Sequence, residues 1–338
     1  MFDDSRLDDA QALARADQAL RWIAESGARV RREATEAAAS VAQAVDRFRD
    51  TPPRAVVAAG PDSRLLRAVL EPWCPVPFVA WPNPRLPGWA GGLDLVVVLA
   101  PQGSDEAAAS GVAEAVRRGC QVIVAAPPGS LVAEHAVGRD AVVLPSHTQD
   151  PLATAVMVLE LLHGLGLAPQ VGSDAVADAL DDVAVACSPF RDASVNPAKS
   201  LATGIADTSP LLWGASVLAA RAARRVAESV RRTTGRAALA ADAEHLFPVL
   251  ESTPTHDVFA DPFADPESAP RPSLVVFDDG FEEPQLRATR SALLATAERR
   301  GVRVETVTSQ ADGEVARYAA LLATGQFAAT YLGLGFAD

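Results

Sequence analysis

Apolar residues Leu7, Leu13, Ala16, Leu20 and Ile23 recur at helical spacing and predict one or two helices over residues 5–49. Pro52 and Pro53 end that pattern, because proline lacks the backbone N–H and the φ freedom that a helix interior needs. The period then changes. Short, nearly continuous apolar runs follow, AVVAAG, VPFVAW, LDLVVVLA, CQVIVAA and DAVVLP, separated by helical stretches such as EAAASGVAEAVRRG. Strands apolar on both faces, alternating with helices, predict a parallel sheet covered on both sides. PLATAVMVLELLHGLGL and SDAVADALDDVAVA, at about 151–187, read as a long helical connection, after which the pattern restarts. SPLLWG predicts a strand, LAARAARRVAESVRRTTG a basic helix, and SLVVFDD and RVETVTSQ two more strands with a helix between them. FADPFADPESAPRP, residues 259–272, is rich in Asp and Pro and predicts a surface loop. The fold class is therefore α/β, two parallel-sheet sandwiches in tandem. Residues 1–50 form N-terminal helices packed across the first sheet, 51–190 the first domain with its following helices, and 191–338 the second domain.

Composition narrows the partners. With 338 residues, 49% of them hydrophobic, the chain is long enough for two cores. A formal charge of −13 repels a polyphosphate backbone, so nucleic acid is not an expected partner. Cys74, Cys120 and Cys187 are too widely spaced for a disulfide framework or a zinc site, and no metal or cofactor is expected. The acidic start MFDDSRLDD has the wrong sign for a targeting peptide, and no uninterrupted apolar run reaches about 18 residues. The expectation is a soluble cytoplasmic protein with no membrane partner.

The junction NPAKSLATGIADTSPLLWG, residues 196–214, carries a local signal. Asn196 can cap a helix, Pro197 suits its first position, and Pro210 falls at the start of the next strand. This segment resembles the inter-domain junction of the bifunctional phosphoglucose/phosphomannose isomerases of the sugar isomerase (SIS) superfamily, where an N-x-A-K-x-L-A helix leads to a P-x-(I/L)-(Y/W)-G strand. GQFAATYLGLGFAD, residues 325–338, resembles that family's closing G-D-(F/Y)-x-(S/A)-x-Y-L-A-x-x-x-G-x-D segment. With the order of elements between them, the likeness covers most of residues 50–338. It implies two tandem SIS-type, flavodoxin-like domains, a homodimer, a sugar-phosphate ligand at the C-terminal strand ends, and aldose–ketose isomerisation of hexose 6-phosphates through an enediolate.

That chemistry needs a base between C1 and C2, an acid to open the ring, donors or a cation for the enediolate, and a phosphate cradle. Where the family's phosphate loop reads S-Y-S-G-N-T-E-E, this chain has APQGSDEA. Gly103 and Glu106 are kept, Ala100 and Gln102 replace serines, Asp105 replaces threonine, and Ser104 is the hydroxyl that remains. Asp105 and Glu106 also suit an ordinary first helical turn. The family's T-S-G-G turn becomes APPGS, with Gly129 and Ser130 kept, Ala126 and Pro127 in place of hydroxyls, and a donor lost at Pro128. Ser130 can contact a ligand or simply cap a helix. No Arg or Lys lies between Arg139 and Arg191, where the family's enediolate arginine is expected, and His147 is the potential cation there. FPVLESTPTHDVF resembles the family's L-P-E-L-N-H-N-E and places His256, followed by Asp257, as the ring-opening histidine. Ala240 stands where the family's N-E-N glutamate would be, leaving Glu244, beside His245, and Glu251 as the nearest carboxylates. Arg221, Arg224, Arg225, Arg231, Arg232 and Arg236 of the basic helix are spread over more than one face.

Three readings follow: a hexose-phosphate isomerase using Glu244 or Glu251 with His256; a non-catalytic sugar-phosphate-binding or regulatory protein on the same scaffold; and a protein whose ligand lacks the phosphate.

Overall fold

The computed structural model describes residues 1–60, 63–254 and 270–337. The chain forms two compact units, Ser26–Asp178, and Met1–Glu25 together with Ala179–Asp338.

The unit Ser26–Asp178 contains α2 (Ser26–Phe48), which follows α1 (Ala10–Ala24) of the other unit, then β1 (Val56–Ala59), α3 (Ser63–Leu70), β2 (Phe78–Trp81), β3 (Leu95–Leu99), α4 (Glu106–Arg117), β4 (Gln121–Ala126), α5 (Leu131–Glu134), β5 (Ala141–Pro145) and α6 (Pro151–Gly164). All five apolar runs have become strands of one sheet. Its order is β2-β1-β3-β4-β5, every pair parallel, with Val56 opposite Leu95, Leu95 opposite Gln121 and Val122 opposite Ala141. This is the flavodoxin-like order, in which ligands sit beyond the carboxyl ends of the strands. Val57, Val96, Val98, Val122 and Val124 pack with Ala108 and Val112 of α4 and Val132 of α5 in one core layer. α2 packs against α6 and β5.

The chain continues with α7 (Ser173–Ala186), α8 (Pro197–Ile205), β6 (Ser209–Gly214), α9 (Val217–Thr234), β7 (Leu239–Ala240), α10 (Ala243–Ser252), β8 (Pro272–Asp278), α11 (Pro284–Arg299), β9 (Arg303–Thr308) and α12 (Glu314–Phe336). The expected long helix at 151–187 is two helices. Its break contains Gly166 and Gly172 at φ of 70° and 68°, conformations that glycine adopts without strain and that end a helix. The sheet order is β7-β6-β8-β9, again all parallel. Leu211, Trp213, Leu274 and Val276 of β6 and β8 pack with Leu246 and Leu250 of α10 and Leu293 of α11. α12 packs against α9 and α8. It is long and apolar enough to cross a membrane by length and composition, but 72% of the qualifying window is buried in the fold. α1 packs on α12.

The two segments that carry the SIS likeness meet in this unit. Asn196 caps α8, its Oδ1 accepting from the N–H of Ala198 and of Lys199 at 3.0 and 3.1 Å while Nδ2 donates to the carbonyl of Ser188 at 3.0 Å. Pro197 occupies the first helical turn, as its missing N–H allows. Lys199 is fully buried, and its Nζ donates to Asp8 Oδ1 at 2.6 Å and to the carbonyls of Pro189 and Arg191 at 2.9 and 2.8 Å. The same ammonium lies 5.5 Å from the ring centre of Tyr331, whose hydroxyl donates to the Cys187 carbonyl at 2.7 Å. Burial pushes the Cys187 thiol up to about 12 and raises the Tyr331 phenol.

Candidate functional site

In the unit Ser26–Asp178, loops at the ends of β1, β3 and β4 adjoin one another. Gly60 ends β1 with φ of 90°, and a Cβ added there would lie 3.9 Å from both the Leu99 carbonyl and the Ala108 Cβ, so this loop abuts the first turn of α4. Ser63 then opens α3. Its N–H donates to the Gly60 carbonyl at 3.2 Å, while its buried Oγ has no hydrogen-bond partner among the described residues. Gly103, at φ of 72°, faces the β4 loop so closely that a Cβ would lie 2.3 Å from the Ser130 Cβ and 2.6 Å from its Oγ. The Val132 N–H donates to the Gly103 carbonyl at 3.1 Å, tying the two loops together.

Gly103 and Ser130 are thus adjacent. Each cap, however, serves its own helix. Asp105 Oδ1 accepts from the Ala108 N–H at 2.6 Å and takes up one of the donors that a helix N-terminus offers an anion. Ser130 Oγ accepts from the Ala133 N–H at 3.4 Å. Ser104, Asp105, Glu106 and Gly129 are exposed. Pro127 and Pro128 supply no N–H at the β4 end.

The other sequence candidates stand on other elements. Glu244 and Glu251 stand on α10, both exposed, and Glu244 lies 3.6 Å from His245 Nδ1 with 79% and 68% of the two side chains in water. His256 and Asp257 lie outside the described residues. His147 Nε2 is 3.3 Å from Glu36 Oε2, and its backbone N–H donates to Glu33 at 2.9 Å. Among the basic-helix arginines, Arg224 pairs with Asp242 at 3.2 Å and Arg225 with Glu228 at 3.0 Å. Arg231 donates to the Ala238 carbonyl at 2.6 Å, and Arg236 stacks over the Phe336 ring at 4.5 Å.

Two groups escaped the sequence reading. Ser63 was legible in principle, since Gly followed by a hydroxyl residue before an apolar helical run is a turn-and-cap signal. Arg29 and Glu33 were not, because their partners are distant in sequence. The buried Arg29 Nε meets Asp150 Oδ2 at 2.8 Å. Oε1 of the buried Glu33 accepts from Ser146 Oγ, the His147 and Thr148 N–H groups and Thr148 Oγ1 at 2.6–3.0 Å. A cation does reach the loop after β5, but from α2 and already paired.

At the strand ends of the other unit, Gly214 admits no side chain, because a Cβ would lie 2.2 Å from the Ala219 carbonyl carbon. Ser216 caps α9, accepting from the Ala219 N–H at 2.9 Å and donating to the buried Asp279. Asp278 pairs with Arg290 at 2.5 Å.

Residues 194–335 match the family described as the bacterial phospho-glucose isomerase C-terminal SIS domain. No curated protein matches the chain by sequence. Among solved structures it is similar to the tagatose-6-phosphate ketose/aldose isomerase of Escherichia coli at 15% identity and TM-score 0.70, covering 92% of each chain. It is also similar to a glucose-6-phosphate isomerase like protein of Thermus thermophilus at 16% identity and TM-score 0.52, covering 84% of this chain and 82% of that one. A third likeness is to the C-terminal domain of glucosamine-fructose-6-phosphate aminotransferase from Francisella tularensis, at 10% identity and TM-score 0.58, covering 91% and 96%. These distant structures share the two-sheet fold, and the family match falls on residues 194–335, the part of the chain that contains Asn196 and Tyr331, so this segment is similar to a SIS domain.

Proposed function

We propose that the chain binds a sugar at the strand ends of the unit Ser26–Asp178, through the loops carrying Gly103, Ser104, Asp105, Glu106, Gly129 and Ser130, and does not isomerise it. The observation that carries this reading is the placement of Glu244 and Glu251. Both are exposed on α10, in water rather than in the secluded setting that tunes a carboxylate for moving a carbon-bound proton. The cation requirement points the same way. No Arg or Lys lies between Arg139 and Arg191, and Arg29, which reaches that region, is held by Asp150. The likeness to a ketose/aldose isomerase of sugar phosphates supports the sugar class of the ligand. It also keeps a second reading in play, interconversion of glucose 6-phosphate or mannose 6-phosphate with fructose 6-phosphate, with His256 opening the ring.

The charge of −13 argues against nucleic acid as a partner. We read the chain as a cytoplasmic homodimer, on the family likeness. The test is incubation of the full chain with fructose 6-phosphate in D2O, following by proton NMR the formation of aldose 6-phosphate and deuterium entry at its C2. His256→Ala and Glu244→Ala samples control for contaminating isomerase. Exchange no faster than in those variants is expected; exchange that disappears with His256→Ala would establish the isomerase.

A further inference from the structure

We propose that the groove between α1 and α9 binds a small planar organic anion, its flat apolar body against Trp22 and its acidic group on Arg232. This site goes beyond the sugar-binding reading and shares no residue with the loops that reading uses.

α1 and α9 both pack on α12, and between them lies a groove of about 600 Å³ whose walls and floor all belong to the unit Met1–Glu25 with Ala179–Asp338. That volume suits a metabolite-sized molecule, for which pockets of about 300–1,000 Å³ are usual. The α1 wall carries Gln18 and Trp22, one helical turn apart, with Ile23 beside them. Trp22 is 49% exposed, so a large part of its surface is open to a ligand, and an indole face of this kind is covered by another flat ring in offset stacking.

The floor is polar where the rest of its helix is apolar. Gln326 lies between the buried Gly325 and Phe327, and Thr330 between the buried Ala329 and Tyr331, yet both keep part of their surface because the groove opens over them. The Thr330 hydroxyl donates to the Gln326 carbonyl at 2.9 Å, while the Gln326 side-chain amide has no hydrogen-bond partner among the described residues. That amide offers a ligand both donors and an acceptor.

Charge sets the sign of the ligand. On the α1 side Arg21 donates to Asp17 Oδ2 at 2.7 Å, and Glu25 acts on the same guanidinium, so that cation is compensated. Arg232, on the α9 wall, has no hydrogen bond or ion pair to any described residue. In a chain of net charge −13 it is the cation this groove leaves to a ligand, and its planar fork of donors matches a carboxylate, sulfonate or phosphate.

The experiment titrates 8-anilinonaphthalene-1-sulfonate, a fused aromatic sulfonate, into the full native chain and reads its fluorescence and the energy transfer from tryptophan. Its uncharged counterpart, N-phenyl-1-naphthylamine, isolates the part played by the acidic group. One saturable sulfonate site is expected. Arg232→Gln should weaken the sulfonate about ten-fold and leave the uncharged probe nearly unchanged, whereas Trp22→Ala should weaken both by about ten-fold. Both side chains are exposed, so each variant should melt within about 2 °C of the native chain, which shows that lost binding is not lost folding. Absence of a saturable sulfonate site, a sulfonate affinity unchanged in Arg232→Gln or in Trp22→Ala, or an uncharged probe bound as tightly as the sulfonate would each overturn the inference.

Discussion

Replacing Lys199 by Met keeps the buried stem and removes the ammonium. Three interactions go with it, to Asp8, to the Pro189 carbonyl and to the Arg191 carbonyl. The carboxylate is the least important of them, because 51% of the Asp8 side chain is exposed and water can replace the lysine there, for a loss below about 1 kcal/mol. The carbonyls lose a charged donor, and an acceptor left without a partner in a buried setting costs about 1–3 kcal/mol. Against this, the folded state no longer has to desolvate an ammonium that is wholly out of water. The net expected loss is about 2–4 kcal/mol. For a folding unit between about 150 and 250 residues long, that lowers the melting temperature by roughly 5–15 °C. Differential scanning calorimetry of Lys199→Met and of Asp8→Asn tests the reasoning. Asp8→Asn should cost less than about 1 kcal/mol, since an amide oxygen can still accept. A Lys199→Met melting temperature within about 2 °C of the native one would refute the account, and equal losses in the two variants would move the stabilisation from the carbonyls to the ion pair.

Other perturbations have equally definite expectations. Cys187 has a folded-state thiol raised by burial to about 12 against an ordinary 9, so its contribution is present below about pH 9 and is lost as pH rises towards 12. Urea titrations at pH 8 and pH 10 should differ by about 1 kcal/mol from this group, and Cys187→Ala should flatten that slope; an unchanged slope would discount the thiol. The same burial predicts that iodoacetamide labels Cys74 in the native chain before Cys120 or Cys187, as read by peptide mass spectrometry. Gly214→Ala places a Cβ 2.2 Å from backbone that cannot swing aside, and a loss above about 3 kcal/mol, or failure to express in soluble form, is expected. Glu33→Ala strands the donors of Ser146, His147 and Thr148 and should cost about 3–5 kcal/mol in urea unfolding, whereas Glu33→Gln, which keeps an acceptor oxygen, should cost clearly less.

What could be read in the sequence depended on the range of the interaction involved. The central strands were legible because a parallel strand covered on both faces must be apolar at every position, and LVVVL at 95–99 is buried throughout. The start of α8 was legible because Asn196 and Pro197 act within one turn. β7 carried no usable pattern: it is a two-residue edge strand with Leu239 46% exposed. The end of the first helix at Gly164 was open to reading, since GLG is a stop signal, and the long-helix expectation passed over it. At the candidate site, the loop residues could be placed from their motif, but not the closeness of Gly103 to Ser130. That depends on two loops meeting across neighbouring strands. The assignment of Arg29 to Asp150 was beyond reach for the same reason, with 121 residues between them.

The two segments most similar to the phosphoglucose isomerases owe their character to packing. Asn196 must cap α8 and hold the Ser188 carbonyl, Lys199 must satisfy two carbonyls from full burial, and Tyr331 must fill the space beside it and reach the Cys187 carbonyl. Any chain that keeps this arrangement must keep those side chains, whether or not it turns over a sugar, because their loss strands buried polar groups. The loops at the strand ends are under no such constraint. A helix N-terminus is satisfied as well by Asp105 as by a hydroxyl, so a cap can change charge there at little cost to stability. Resemblance carried by the first kind of residue therefore transfers the scaffold, and the chemistry has to be argued from the second.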